Sequence, residues 1–216
     1  MIGMKITLLT VGPFEENSYL VIDEESNRAV LIDPGDEPDR LIAMVRESGA
    51  TLDAIWLTHA HIDHIGGLAG VRRAYPVPVY MHPADRPVFD RGATQAAVYE
   101  LPFEQPDPPD FELADGDILT LGDAQFHVMH TPGHAPGHVV FRNDRIVLGG
   151  DLLFAGSVGR TDLLLSDPDQ MADSLVRICE LDDETVVFPG HGPHTTIGRE
   201  RATNPWVTGL AGIVPR

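Results

Sequence analysis

A single cysteine, Cys179, stands in the 216 residues, so an internal disulfide framework is excluded. Basic residues are scarce: 15 Lys and Arg face 33 Asp and Glu, a formal charge of −18. A protein that tracks phosphates needs the opposite balance, so nucleic acid is not an expected partner. A polybasic membrane dock fails for the same reason. No apolar run approaches the roughly 20 residues that span a bilayer. Residues Met1 to Lys5 lack the charged start, apolar stretch and small-residue cleavage site of a secretory signal. The expectation is a soluble, cytoplasmic protein without a membrane partner. Apolar residues make up 43% of the chain, with 21 Gly and 18 Pro, which suits a globular core and many turns. The length suits one domain over residues 1–216.

No internal repeat is visible. Residues 4–10, 18–23 and 28–33 carry β-type runs, spaced closely enough for antiparallel neighbours. Pro34-Gly35-Asp36 breaks the pattern. From Asp39 to Ser48, Leu41, Ile42 and Val45 fall at helical spacing, and Gly49 is a natural stop. Residues 52–57 read as a buried strand, 67–75 as a helix ending before Pro76, and 77–81 as a short strand. The proline-rich, acidic stretch 101–110 reads as an ordered surface loop, because strand patterns resume directly after it. Strands are then expected within 117–130, 137–142 and 145–148. A helix carrying Met171, Leu175 and Ile178 follows Asp167-Pro168, then a strand at 185–188 and a short helix from about Ile197. Two halves of similar pattern predict an α/β fold with two sheets packed together and helices outside, an αββα four-layer sandwich.

Ten histidines is a high number, and their placement matters more than their count. His59, His61, Asp63 and His64 form the string T-H-A-H-I-D-H directly after the strand 52–57. Histidines on one helical face would be four apart, as in H-E-x-x-H. The i, i+2 spacing instead suits an extended or turning loop that aims alternate side chains the same way. His59 and His61 can then reach one ion, and Asp63 and His64, further round the turn, a second. The competing reading is a polar loop of solvated histidines, but three imidazoles and a carboxylate in one strand-to-helix loop are hard to collect by chance. His134, Asp151 and His191 also sit just beyond expected strands and beside glycine. Sites gather where strands end, on loops that a rigid scaffold positions. Five histidines and two aspartates are the right inventory for two divalent ions, each with three side chains and one carboxylate spanning both.

T-H-A-H-I-D-H with His134, Asp151 and His191 resembles the metallo-β-lactamase superfamily. The strings HTPGHAPGH, GGDLLFAGSVGRTDL and FPGHGPHTTIGRERATNP resemble, more narrowly, the glyoxalase II (hydroxyacylglutathione hydrolase) group. The likeness runs from Asn17 in NSYLV to Pro205. Within that group it resembles the short glyoxalase II-like proteins: the residues end soon after TNPW, and the C-terminal helical segment that carries much of the glutathione contact in full-length glyoxalase II is not expected. The resemblance implies that His59, His61 and His134 hold a first ion, that Asp63, His64 and His191 hold a second, and that Asp151 bridges them.

Imidazole and carboxylate donors suit Zn²⁺, and also Fe or Mn; the lack of cysteine ligands disfavours a purely structural zinc. Against two divalent ions, the catalytic carboxylates Asp63 and Asp151 leave net positive charge, which favours a hydroxide bridging the metals. One Zn²⁺ alone brings bound water to a pKa of about 7. That hydroxide would attack an acyl carbonyl while an ion stabilises the oxyanion. A thiolate leaving group needs little protonation, so the expected activity is hydrolysis of a small-molecule thioester resembling S-2-hydroxyacylglutathione.

Persulfide dioxygenases share the fold, the H-x-H-x-D-H string and a G-R-T-D segment; they would use one iron held by His59, His134 and Asp151. TPGHAPGH and PGHGPHTTIG look closer to the hydrolases. Phosphodiester hydrolysis conflicts with the charge, and a non-catalytic metal binder would be expected to lose ligands. Around the site, Asp33 either bonds the metal loop or simply forms a turn. His138 reads as a structural hydrogen-bonder, and His194 as pocket-lining or solvent-facing. His82, His127 and His130 read as sheet or loop residues. Arg160 reads as a substrate-carboxylate partner or a loop-stabilising arginine, and Cys179 as helix packing.

Overall fold

A computed structural model describes residues 3–209. Strands β1 (Met4–Val11), β2 (Glu16–Asp23) and β3 (Arg28–Ile32) pair antiparallel in sequence, as their spacing predicts. Helix α1 (Pro38–Ser48) carries the chain to β4 (Thr51–Trp56), which lies parallel to β3. Pro38 opens the helix and Gly49 closes it in a left-handed conformation, φ 70°. The metal-loop string then contains one helical turn, α2 (Ile62–Ile65), followed by α3 (Leu68–Ala74) and β5 (Val79–Met81). The short helices α4 (Arg86–Phe89) and α5 (Gly92–Val98) were not anticipated from the sequence. After β6 (Phe111–Glu112), strands β7 (Ile118–Leu121), β8 (Ala124–His130), β9 (Val139–Arg142) and β10 (Ile146–Gly150) build the second sheet. A small hairpin, β11 (Leu153–Phe154) with β12 (Ser157–Val158), precedes α6 (Pro168–Ile178). The chain then runs through β13 (Val186–Pro189), β14 (Thr195–Thr196) and α7 (Ile197–Thr203).

The two large sheets have the orders β1-β2-β3-β4-β5-β6 and β14-β13-β10-β9-β8-β7. Strand alternation divides their side chains among three cores. Leu20, Leu31 and Ile55 face outward onto Leu41, Val45, Leu68 and Val71 of α1 and α3. Tyr19, Val21, Ile32 and Trp56 face inward onto Phe126, Val128 and Phe141 of the second sheet. Val140, Val147 and Val187 face out onto Met171, Leu175 and Ile178 of α6. The result is an αββα four-layer sandwich. No described helix is long and apolar enough to cross a membrane.

The layering decides where chemistry can gather. β4, β8, β10 and β13 end on the same rim, and the loops that leave them carry the singled-out histidines and aspartates.

Candidate metal centre

All seven side chains named from the sequence converge. His59 and His61 follow β4, and Asp63 and His64 ride on α2. His134, Asp151 and His191 follow β8, β10 and β13. Donor atoms of His59, His61 and His134 lie within 4.8 Å of one another, and so do those of Asp63, His64 and His191. Asp151 stands between the two sets. Its Oδ1 is 3.4 Å from His64 Nε2. Its Oδ2 is 3.4 Å from His134 Nε2 and 3.6 Å from His191 Nε2. His191 Nε2 is also 3.2 Å from Asp63 Oδ2. Two ligands at about 2.1 Å from one cation, arranged tetrahedrally, sit roughly 3–3.5 Å apart. His59 Nε2, His64 Nε2 and Asp151 Oδ1 are buried without any hydrogen-bond partner. Buried polar atoms left unpaired are costly, and a cation shared among them removes that cost. The donor set therefore fits divalent metal.

The electrostatics divide the site in two. Burial holds the His59 imidazole well below its ordinary value and pushes His61 down to about 3. Burial likewise lowers His134, with Asp151 opposing. For His64, burial works downward but the carboxylates of Asp151 and Asp63 outweigh it, so the imidazole is raised well above the usual range. Asp151 is the converse: burial raises it, yet His64, His134 and His191 hold it below the usual carboxylate range. The first triplet thus offers neutral nitrogens, while the carboxylates around the second favour positive charge, which a bound cation would supply in place of the His64 proton.

The nitrogens that face away from the centre are fixed by neighbours. His134 Nδ1 donates to the Arg160 carbonyl at 2.8 Å and His191 Nδ1 to the Phe14 carbonyl at 3.1 Å. His64 Nδ1 is 3.0 Å from Asp33 Oδ2. Each bond fixes the ring so that its other nitrogen points inward. The Asp33 alternatives thereby resolve toward the metal loop, because its carboxylate also accepts from the Thr58 N–H and hydroxyl. His138 is a structural hydrogen-bonder: its Nε2 accepts from the Asp151 N–H at 3.0 Å and its Nδ1 meets Thr131 Oγ1 at 2.9 Å. Arg160 contributes its carbonyl, while its exposed guanidinium pairs with Asp162. His194 is exposed beside the Phe188 ring, away from the cleft. His82 and His130 stack on each other at 4.0 Å.

Two supports escaped the sequence reading. Asp85 is fully buried and accepts from the Ala60 N–H at 2.7 Å and the Gly137 N–H at 2.6 Å, tying the His59–His61 loop to the His134–His138 loop. Gln95 on α5 accepts from the Ile62 N–H at 3.1 Å. Neither lies in a string that marks its role.

The sequence profile described as the metallo-beta-lactamase superfamily matches residues 11–191. The chain belongs to the metallo-β-lactamase superfamily. Among curated proteins it is 34% identical over 209 residues to the hydroxyacylglutathione hydrolase GloC of Haemophilus influenzae, covering 94% of this chain and 98% of that one. Three solved structures are also similar. The BLEG-1 B3 metallo-beta-lactamase has a TM-score of 0.89 at 37% identity, covering 95% of this chain and 100% of that one. A di-iron-bound form of TTHA1623 has a TM-score of 0.86 at 45% identity, covering 93% and 99%. ETHE1 from Myxococcus xanthus has a TM-score of 0.79 at 30% identity, covering 95% and 85%.

Proposed function

We propose that this metallo-hydrolase is a dinuclear thioester hydrolase of glyoxalase II type, acting on a substrate like S-2-hydroxyacylglutathione. The observation that carries the reading is the convergence of two donor triplets on Asp151 at the floor of one cleft. His59, His61 and His134 would hold one divalent cation, Asp63, His64 and His191 the other, and Asp151 both. Zinc suits these donors best, with iron or manganese as alternatives; the likeness to a di-iron protein keeps iron in view.

When bound, the cations supply a hydroxide nucleophile at neutral pH and a Lewis acid for the carbonyl oxygen. The rest falls to the chain. Asp63 and Asp151 balance part of the metal charge. The carbonyls of Arg160 and Phe14 keep the His134 and His191 lone pairs aimed inward. The cleft walls orient the thioester and keep bulk water from the carbonyl. A thiolate leaves without a proton donor, so no further acid is required.

The likeness to ETHE1 and the G-R-T-D segment favour a second reading, a persulfide dioxygenase with one iron on His59, His134 and Asp151. Metal analysis of freshly purified protein with paired assays decides between them. Two metal equivalents per chain with hydrolysis of S-D-lactoylglutathione are expected. One iron per chain, with oxygen uptake and sulfite from glutathione persulfide, would replace the hydrolase reading. Nitrocefin turnover above thioester turnover would replace it with β-lactam hydrolysis.

A further inference from the structure

The cleft lined by His61, Asp63, His134, Asp151 and His191 has a volume of about 620 Å³. Its floor is polar, but its walls are largely hydrocarbon. Val98 is 71% exposed, Leu164 67%, Tyr99 46% and Leu165 45%, and all four line this opening. Large apolar side chains left in water around one concave site mark a ligand surface more than a solvated one.

The walls are also tied to the donor residues. Arg160 accepts from His134 Nδ1, and Ser166 Oγ donates to the His134 carbonyl at 2.7 Å, so the loop bearing Leu163, Leu164 and Leu165 is clasped to His134 on both sides. Leu165 itself takes a left-handed backbone, φ 69°, a conformation that leucine adopts only at an energetic cost. On α5, Gln95 holds the Ile62 N–H beside His61, which fixes the helix that ends at Val98. Phe14 meets Tyr99 edge to face at 4.9 Å while its carbonyl accepts from His191 Nδ1. Two pieces of apolar wall are therefore anchored to His134 and His191, and the third to Ile62 between His61 and Asp63. Anything that binds them is held at a set distance from Asp151.

We infer that the substrate carries an extended apolar group beside its scissile bond, several carbons long, which these walls bury. A small hydroxyacyl group would cover little of this surface. The inference rests on the thioester reading and sharpens its substrate class. The apolar group can belong to either the acyl or the thiol side, and the same surface would bind it in both cases.

Two substrate series separate the sources. One lengthens a straight acyl chain on a fixed thiol; the other lengthens an alkyl thiol on a fixed acetyl group. In one of them kcat/KM is expected to rise by about fourfold per methylene until the cleft is filled. The double variant Val98→Ser, Leu164→Ser should cut that gain to about twofold or less per methylene. The conservative pair Val98→Ile, Leu164→Met should restore it. In parallel, calorimetry with non-hydrolysable alkyl thioethers of increasing length reads binding without turnover. Turnover and thioether affinity that are both flat or falling with length would overturn the inference and leave the hydrolase reading standing. Thioether affinity that climbs with length, with no thioester hydrolysed, would show that the walls take an apolar group but sink the hydrolase reading, and with it the assignment of that group to a thioester substrate.

Discussion

Asp33 Oδ2 lies 3.0 Å from His64 Nδ1. The same carboxylate accepts from the Thr58 N–H at 2.7 Å and the Thr58 hydroxyl at 2.5 Å, with all three residues buried. One side chain thus orients the imidazole that faces Asp151 and fixes the start of the loop bearing His59 and His61. Asp33→Ala should weaken metal binding at the Asp63–His64–His191 triplet by about 10- to 100-fold. It also strands the buried Thr58 N–H at about 1–3 kcal/mol. A metal titration against a competing chelator, resolved into two sites, measures this; equal affinities in wild type and variant would refute it.

His191 depends on a different strand. Asn17 Nδ2 donates to the Pro189 carbonyl at 3.1 Å and the Gly192 carbonyl at 2.8 Å, and the Tyr19 hydroxyl donates to Pro189 at 2.7 Å. These bonds lash the loop after β13 to β2 in the other sheet. Asn17→Ala loses two of them and Tyr19→Phe one. Asn17→Ala should therefore be the more damaging, lowering kcat/KM by about tenfold or more through a loosened His191. Tyr19→Phe should cost about 1 kcal/mol in stability with a smaller effect on rate. Thermal melts and kinetics of the two variants check the order.

Asp85 gives the protein a pH-dependent strut. Burial pushes its carboxyl up from 3.8 to about 6, against the pull of the Gly137 and Ala60 N–H donors. The folded state therefore binds this proton more tightly than the unfolded chain does. The stabilisation is full below about pH 4 and is lost as pH rises through about 6, a swing of about 3 kcal/mol. Asp85→Asn removes the titration. In urea melts of metal-free protein, the stability difference between wild type and variant should change from pH 4 to 6 and be constant above 7. A difference that is constant throughout would exclude Asp85 as the titrating group.

The seven converging residues were legible because they lie in short strings beside strand ends, where i, i+2 spacing and glycine have local physical meaning. The antiparallel pairing of β1 to β3 was legible for the same reason, since tight turns join them. Asp85 and Gln95 were not. Asp85 reaches partners 25 and 52 residues away, and Gln95 one 33 residues away. Nothing local distinguishes such a residue from a surface one. The helices α4 and α5 are too short for a helical period to stand out, so the apolar wall that α5 supplies was invisible until the tertiary packing was known.

Backbone closeness gives the sharpest test of Asp151 as the shared carboxylate. A Cβ on Gly190 would stand 2.3 Å from Asp151 Oδ1 and 2.8 Å from His64 Cε1. The strand end cannot retreat freely, because the Gly190 N–H donates to the Gly150 carbonyl at 2.7 Å and its carbonyl accepts from Asn17 at 2.8 Å. Gly190→Ala must therefore displace the carboxylate. It should deplete metal from both triplets together and lower turnover by about 100-fold or more. The hydrophobic layers lie elsewhere and should give an unchanged near-UV spectrum. Gly192→Ala is the matched control: a Cβ there meets nothing within 4 Å, although φ 74° makes it strained by about 1–2 kcal/mol. It should lose stability and keep its metal. If Gly190→Ala retains two equivalents, or loses only one, Asp151 is not the carboxylate shared by both triplets.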